Sequence, residues 1–172
     1  MLKVARKLSE ISFANLMSIY YEGNLASGKE HYPDDTEEVQ IRKAEDDFYQ
    51  YLNAVFFRQE DSYYMIWIVN GHYTAALRLE PYRNGHLLSA LETAPEARGK
   101  GYATSLIQEI LSYLSSHGSG IVYSHVSKRN EASLAVHRKC GFQDIKDYAV
   151  YADGSVLHNH FTFAYEYKKS EI

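Results

Sequence analysis

The chain has 172 residues, 45% of them apolar, and a formal net charge of −4, which is one domain's worth of sequence with enough apolar side chain for a buried core. The acidic balance gives no electrostatic footprint for nucleic acid or an anionic membrane surface. The single cysteine, Cys140, excludes an internal disulfide framework, and neither an apolar leader core nor a run of about 18 apolar residues is present. The expectation is a soluble, cytoplasmic protein of one domain, residues 1–172, whose 16 tyrosines indicate wide half-buried surfaces with polar rims.

Residues 2–8 read as a short strand with Leu2 and Val4 facing in. Leu8, Ile11, Phe13, Leu16, Met17, Ile19, Tyr20 and Tyr21 then follow a helical spacing as far as Glu22-Gly23. Ala26 to Asp35 is rich in glycine, proline and polar residues and reads as a loop, and Asp35 with Glu38 three residues on has the form of a capping box. The helix that follows would bury Ile41, Ala44, Phe48, Tyr51, Leu52, Val55 and Phe56. Tyr63–Val69 and Tyr73–Leu79 are β-branched and aromatic and flank Asn70-Gly71, the strongest short hairpin signal. Pro81 to Gly85 makes a second turn, and a third strand runs from Leu87 to Thr93. Pro95, Gly99 and Gly101 break it, after which Ala103, Leu106, Ile107, Ile110, Leu111 and Leu114 mark one face of a helix ending near His117-Gly118. Ile121–Val126 reads as a buried strand, and Asn130 to Cys140 as a short helix closed by Gly141. Two last strands, Phe142–Tyr151 and Phe161–Tyr167, flank Asp153-Gly154 and are expected to pair.

The chemistry concentrates at Arg98-Gly99-Lys100-Gly101-Tyr102-Ala103, between the third strand and the helix. A helix N-terminus leaves about four backbone N–H groups without intrahelical partners and carries the positive end of the macrodipole, which suits a pyrophosphate. Glycines at 99 and 101 let a phosphate approach the backbone, Arg98 and Lys100 add charge, and Thr104 offers a hydroxyl. The alternative is an ordinary glycine-broken turn with two solvated cations. A P-loop is out of register, because Lys100 is followed by Gly101 and Tyr102, and a dinucleotide fingerprint would need a small residue where Thr104 stands.

The order of strand, two helices, three-strand meander, helix, strand, helix and two strands resembles the GNAT family of N-acetyltransferases, over nearly the whole chain. Residues 98–103 are similar to that family's Q/R-x-x-G-x-G/A acyl-CoA loop. The segment from Asn130 to Phe142, with His137, Gly141 and Phe142 in it and Ser133 at the pattern's alanine position, resembles its N-x-x-A-x-x-x-Y-x-x-x-G-F segment. The resemblance implies an α/β fold with a mixed, mostly antiparallel central sheet flanked by helices, and acetyl-CoA as co-substrate with an amine acceptor as the other partner. It also implies that the backbone of Gly99, Lys100, Gly101, Tyr102, Ala103 and Thr104, with Arg98, holds the CoA pyrophosphate. Leu91 and Thr93 would pair with the pantetheine arm, and Asn130 would contact the cofactor. A homodimer is left open.

His137 stands where the family's pattern has a tyrosine, commonly the acid that protonates the departing thiolate. Histidine can take that role; it can equally be a helix-end residue with a backbone partner. Tyr123 and Tyr102 are lower-ranked substitutes. Because an ammonium of pKa about 10 has no lone pair at neutral pH, a base is also expected, and Glu92 near the strand's C-terminal end is the first candidate, ahead of Glu80. The other reading of Glu92 is an ion pair with Arg98. His158 and His160 lack further ligands for a metal, Cys140 reads as a small packed residue, and the acidic run from Asp34 to Asp47 as a solvated helix face that could also attract cationic amines. Two further hypotheses are an acyl-CoA-binding sensor without efficient chemistry, motivated by the missing tyrosine, and a nucleotide-binding protein using the same loop.

Overall fold

The computed structural model describes residues 1–170. Its elements are β1 (Leu2–Ala5), α1 (Phe13–Ile19), α2 (Tyr21–His31), α3 (Glu37–Ala54), β2 (Tyr63–Val69), β3 (His72–Tyr82), β4 (Gly85–Thr93), α4 (Tyr102–His117), β5 (Gly120–Ser127), α5 (Glu131–Lys139), β6 (Gln143–Lys146), β7 (Ala149–Val150), β8 (Val156–Leu157) and β9 (His160–Tyr167). Seven strands form one sheet in the order β1-β2-β3-β4-β5-β9-β6. Only β4 and β5 run parallel, joined across α4; the other neighbours are antiparallel.

Strand alternation divides the core. Met65, Leu77 and Leu79 meet Leu106, Ile107, Ile110 and Leu134 of α4 and α5 on one face. Tyr64, Ile66 and Ala76 meet Leu16, Ile19, Leu52 and Phe56 on the other. This is the period-2 pattern of a sheet covered on both sides. Asn70 and Gly71 both have positive φ, +50° and +81°, and link β2 to β3 as the two-residue hairpin turn expected of Asn-Gly.

Several expectations fail locally. The first strand stops at Ala5. The apolar run after it is interrupted, giving α1 and then α2, and α2 runs on to His31 through the stretch expected to be loop. Gly28 is the reason: it is buried, and a Cβ there would stand 2.5 Å from the Gln40 carbonyl oxygen, so the glycine permits close approach of α2 to α3 rather than a break. The expected capping box is absent. Thr36 is the N-cap residue of α3, while Asp35 pairs with Lys43 at 2.6 Å. Val55 lies past the end of α3 and is 47% exposed. Strand β3 continues through Pro81, whose partner is His86, and the tight turn is Arg83-Asn84. The last segments are also more broken than the sequence indicates. Strand β6 does pair with β9, but the chain leaves the sheet after Lys146, and Asp153-Gly154 sits in a separate small hairpin made by β7 and β8.

Gly28→Ala should destabilise the fold by about 1–3 kcal/mol, because the clash is with backbone that cannot swing aside. Gly23→Ala, with nothing within 4 Å of the added carbon, should stabilise by about 0.4–1 kcal/mol. Denaturant melts of both variants check the pair.

Candidate active site

The site begins where two strands part. The β4–β5 ladder comprises His86–Val122, Leu87–Tyr123 and Leu88–Ser124 only, so the β5-facing edge of residues 89–93 has no strand against it. One residue further, β4 is bulged: Ala90 and Leu91 together face Leu77, between the pairs Arg78–Ser89 and Ala76–Glu92. Ala90 has φ +52°, a left-handed conformation that is uncommon outside glycine. Its carbonyl accepts a 2.7 Å hydrogen bond from the Tyr20 hydroxyl at the α1–α2 junction.

Beyond Thr93 a single 3-10 turn, Pro95–Ala97, leads to Arg98 and the glycine loop. Gly99 and Gly101 have φ of +75° and +81°, and no atom lies within 4 Å of a Cβ built on either. Gly101 caps α4 without a side chain, and the first intrahelical bond is from Ser105 N–H to its carbonyl. The amides of residues 102–104 are therefore left over at the helix end. They border a cleft of about 400 Å³ lined by Leu91, Glu92, Thr93 and Arg98, by residues 99 and 101–104, and by Asn130, Ala132, Ser133 and Val136. An open backbone cradle at a positive helix end is the chemistry an anionic pyrophosphate needs, so the residues present fit that group.

The two cations of the loop are partly committed elsewhere. Arg98 donates to Glu22 at 2.8 Å, to Glu92 Oε1 at 3.2 Å and to the Thr93 carbonyl at 3.3 Å, tying the end of β4 to α2. Lys100 folds back on the Glu96 carbonyl. Glu92, beside Ala76 on the α1–α3 face of the sheet, accepts from Thr93 N–H as well as from Arg98. Asn130 caps α5 by accepting from Ser133 N–H at 3.0 Å, which leaves its amide N–H groups to the cleft.

A second cavity of about 230 Å³ occupies the gap between β4 and β5. Leu88, Ser89, Ala90, Leu91, Ser124, His125, Asn130, Ser133, His137 and His160 are among its lining. His137 is 1% exposed. Its Nδ1 lies 2.8 Å from the Ser133 carbonyl, which requires the proton on Nδ1, while Nε2 is buried without a partner. Burial holds its pKa below the ordinary imidazole value, so the ring is neutral and Nε2 is an acceptor. The geometry thus offers a lone pair at the position from which a proton was expected. His125 lines the same gap with both ring nitrogens buried and unpartnered; burial foremost, then His160 and Arg83, lowers its pKa to about 4.

The remaining candidates lie elsewhere. The Tyr123 hydroxyl donates to Asn84 and lines neither of these two cavities, whereas Tyr102 lines the cleft. Cys140 is buried against the Thr104 carbonyl, and burial raises its thiol pKa. His158 and His160 are not part of any group of three potential metal ligands among the described residues. No helix among those residues is long and apolar enough to cross a membrane. The sequence reading passed over Ser133, His125, Tyr20 and Glu22. Ser133 is one turn from Asn130 on the same helix and was findable by spacing; nothing local marks Tyr20 or Glu22, which reach the site only through packing.

The profile of the acetyltransferase (GNAT) family matches residues 25–142, and the chain belongs to that family. It is accordingly an acetyltransferase with acetyl-CoA as co-substrate. Three solved structures illustrate the likeness. The ribosomal-protein-S18-alanine N-acetyltransferase of Escherichia coli is 15% identical with a TM-score of 0.61, covering 99% of this chain and 97% of its own. The PaiA N-acetyltransferase of Thermoplasma acidophilum, in complex with coenzyme A, is 16% identical with a TM-score of 0.59 and coverages of 97% and 99%. A mutant spermidine N-acetyltransferase of Vibrio cholerae is 15% identical with a TM-score of 0.61 and coverages of 96% and 92%. At these identities the likeness is one of fold. Among curated proteins no significant sequence match is found.

Acetyl-CoA at about 100 times its dissociation constant should stabilise the protein by about 2.7 kcal/mol in a thermal melt. Gly101→Glu should abolish that shift by placing a carboxylate in the anion cradle. Gly101→Ala, which shares the left-handed backbone cost of about 1–2 kcal/mol, should keep it.

Proposed function

We propose that the protein transfers the acetyl group of acetyl-CoA to a primary amine by direct attack, within one domain and without a covalent enzyme intermediate. The observation that carries this reading is continuity. Leu91, Asn130 and Ser133 line both the cleft at the head of α4 and the gap between β4 and β5, so the two cavities share a wall and lie next to each other. When bound, acetyl-CoA supplies an acyl thioester. The amides of residues 99–104 hold its pyrophosphate, and the free edge of β4 at Leu91 and Thr93 orients the pantetheine arm. Asn130 donates from α5. Arg98 fixes the end of β4 and serves as a positioning residue more than as a phosphate ligand.

On the acceptor side the ammonium must lose a proton before it attacks. Glu92 is the proposed base, acting directly or through water, with Arg98 and Thr93 N–H fixing its orientation. The sole cysteine, buried with a raised pKa and outside the lining of both cavities, supports transfer without an acyl-enzyme. His137 is proposed to accept a hydrogen bond in the gap; the proton for the departing thiolate then comes from Tyr102 or from water. A binding-only role remains the second reading, favoured by the tyrosine missing at 137, and thiol release across an amine panel separates the two.

Glu92→Gln keeps shape but removes basicity, so acetyl-CoA affinity should persist while turnover falls on the order of 10²-fold near neutral pH. The deficit should shrink as pH approaches the amine's own pKa; a constant deficit identifies an orienting role instead. His137→Phe should leave turnover within about threefold of the parent. A loss on the order of 10²-fold at unchanged acetyl-CoA affinity would return the acid role to His137.

A further inference from the structure

The face of the sheet that carries Glu92 also carries a row of unsatisfied polar atoms. Tyr64 is the cross-strand partner of Arg78, and Arg78 is the cross-strand partner of Ser89, so the three side chains stand abreast on β2, β3 and β4. Among the described residues the Tyr64 hydroxyl, the Arg78 Nε and the Ser89 Oγ are all buried without a partner at hydrogen-bond distance, the Tyr20 hydroxyl lying beside that of Tyr64. Such atoms are rare in folded proteins, and three neighbours together call for a common explanation. Arg78 is the centre of it. Among the described residues it is in no ion pair. The guanidinium carbon lies 4.9 Å from the ring centroid of Tyr51, 5.7 Å from Phe56 and 5.9 Å from Phe48. The three rings fix the charge in place without supplying an acceptor.

The position of the row is informative. Ser89 immediately precedes Ala90, where the bulge lies and the gap from the cofactor cleft reaches this face, and Ser89 lines the gap. Tyr20, bonded to the Ala90 carbonyl, stands beside it. We infer that Arg78, with Ser89 and Tyr64 on either side, anchors a carboxylate on the acceptor, so that the amine acetylated is that of an amino acid or a similarly carboxylate-bearing small molecule. This deepens the transfer reading above and rests on it. A planar guanidinium matches a carboxylate in a bidentate manner. Both flanking hydroxyls can turn to donate, which an acceptor-only anion satisfies and a second cation does not. Of the three, Ser89 lines the gap, so an acceptor held by this row would have its other end toward the gap. Glu80, two residues along β3 on the same face, lies near Arg78, and burial raises its carboxyl pKa above the ordinary value while Arg78 opposes that shift.

The test compares, for several side chains, the free amino acid with its carboxamide and its decarboxylated amine, plus O-phosphoethanolamine, by thiol release. Calorimetric binding of the amino acid to the CoA-loaded protein runs in parallel. The free acids should have kcat/KM at least about 10-fold above the matched amides and amines, the range of one charge-assisted hydrogen bond. Arg78→Met, which preserves the apolar stack, should erase that preference by raising KM for the acids, with little change for the amines and the same melting temperature. Arg78→Lys should keep part of it. Equal use of acids, amides and amines, preference for the phosphate, or unchanged selectivity in Arg78→Met overturns the inference even if acetyl transfer stands. So does failure of the amino acid to bind. Amino-acid binding that depends on Arg78, with no thiol release from any amine, overturns the transfer reading instead.

Discussion

The site depends on a ladder that stops. Parallel neighbours in a sheet ordinarily pair along their length, and here β4 and β5 hold together for three residue pairs before parting at Leu88 and Ser124. Past that point the β4 edge loses its neighbour, and exposed edge groups on a central strand are costly unless something accepts them. The passage left between the strands has backbone hydrogen-bonding groups on one side and the first turn of α5 on the other. Helix α4 links the two strands, so the glycine loop proposed to hold an anion is necessarily at the end of the strand whose edge is free. The glycine loop at the head of α4 and the gap beside β4 are two results of one topological fact.

Three kinds of contact keep the parted strands from closing. The bulge at Ala90 and Leu91 alters the direction of β4 against β3, Tyr20 fixes the left-handed residue from above, and Arg98 ties the strand's end to Glu22. The last of these is a half-exposed ion pair, a kind that contributes little to stability, and its value lies in direction: it restricts the Glu92 carboxylate. The aromatic groups around Arg78 do the same for a cation that is in no ion pair among the described residues. Position is maintained at this site by packing and geometry more than by strong bonds.

Much of the architecture was legible in the sequence because it follows local rules. The Asn70-Gly71 hairpin, the apolar face of α4, the short helix after Asn130 and the glycines before Tyr102 are each specified by a few adjacent residues. Where reading failed, a distant partner decided. Gly28 looked like a helix breaker and is a contact surface for Gln40. The bulge at Ala90 has no signature, since an alanine in a strand is unremarkable until its φ is known. His137 could be singled out by its place in a motif, but its proton inventory depends on the Ser133 carbonyl and on burial, neither visible in the string of residues. The cross-strand row of Tyr64, Arg78 and Ser89 needs the register of three strands before it exists at all.

The bond from Tyr20 to Ala90 also sets an order of assembly. Its partners are separated by 70 positions, whereas the turn at Gly99–Gly101 and the first bonds of α4 are local. Loop closure over such a separation is slow relative to helix formation. The glycine turn can therefore form from local contacts, while the irregular strand beside it depends on α1 docking on the sheet. The strand beside the glycine loop is thus fixed by contacts far more distant in sequence than those of the loop itself.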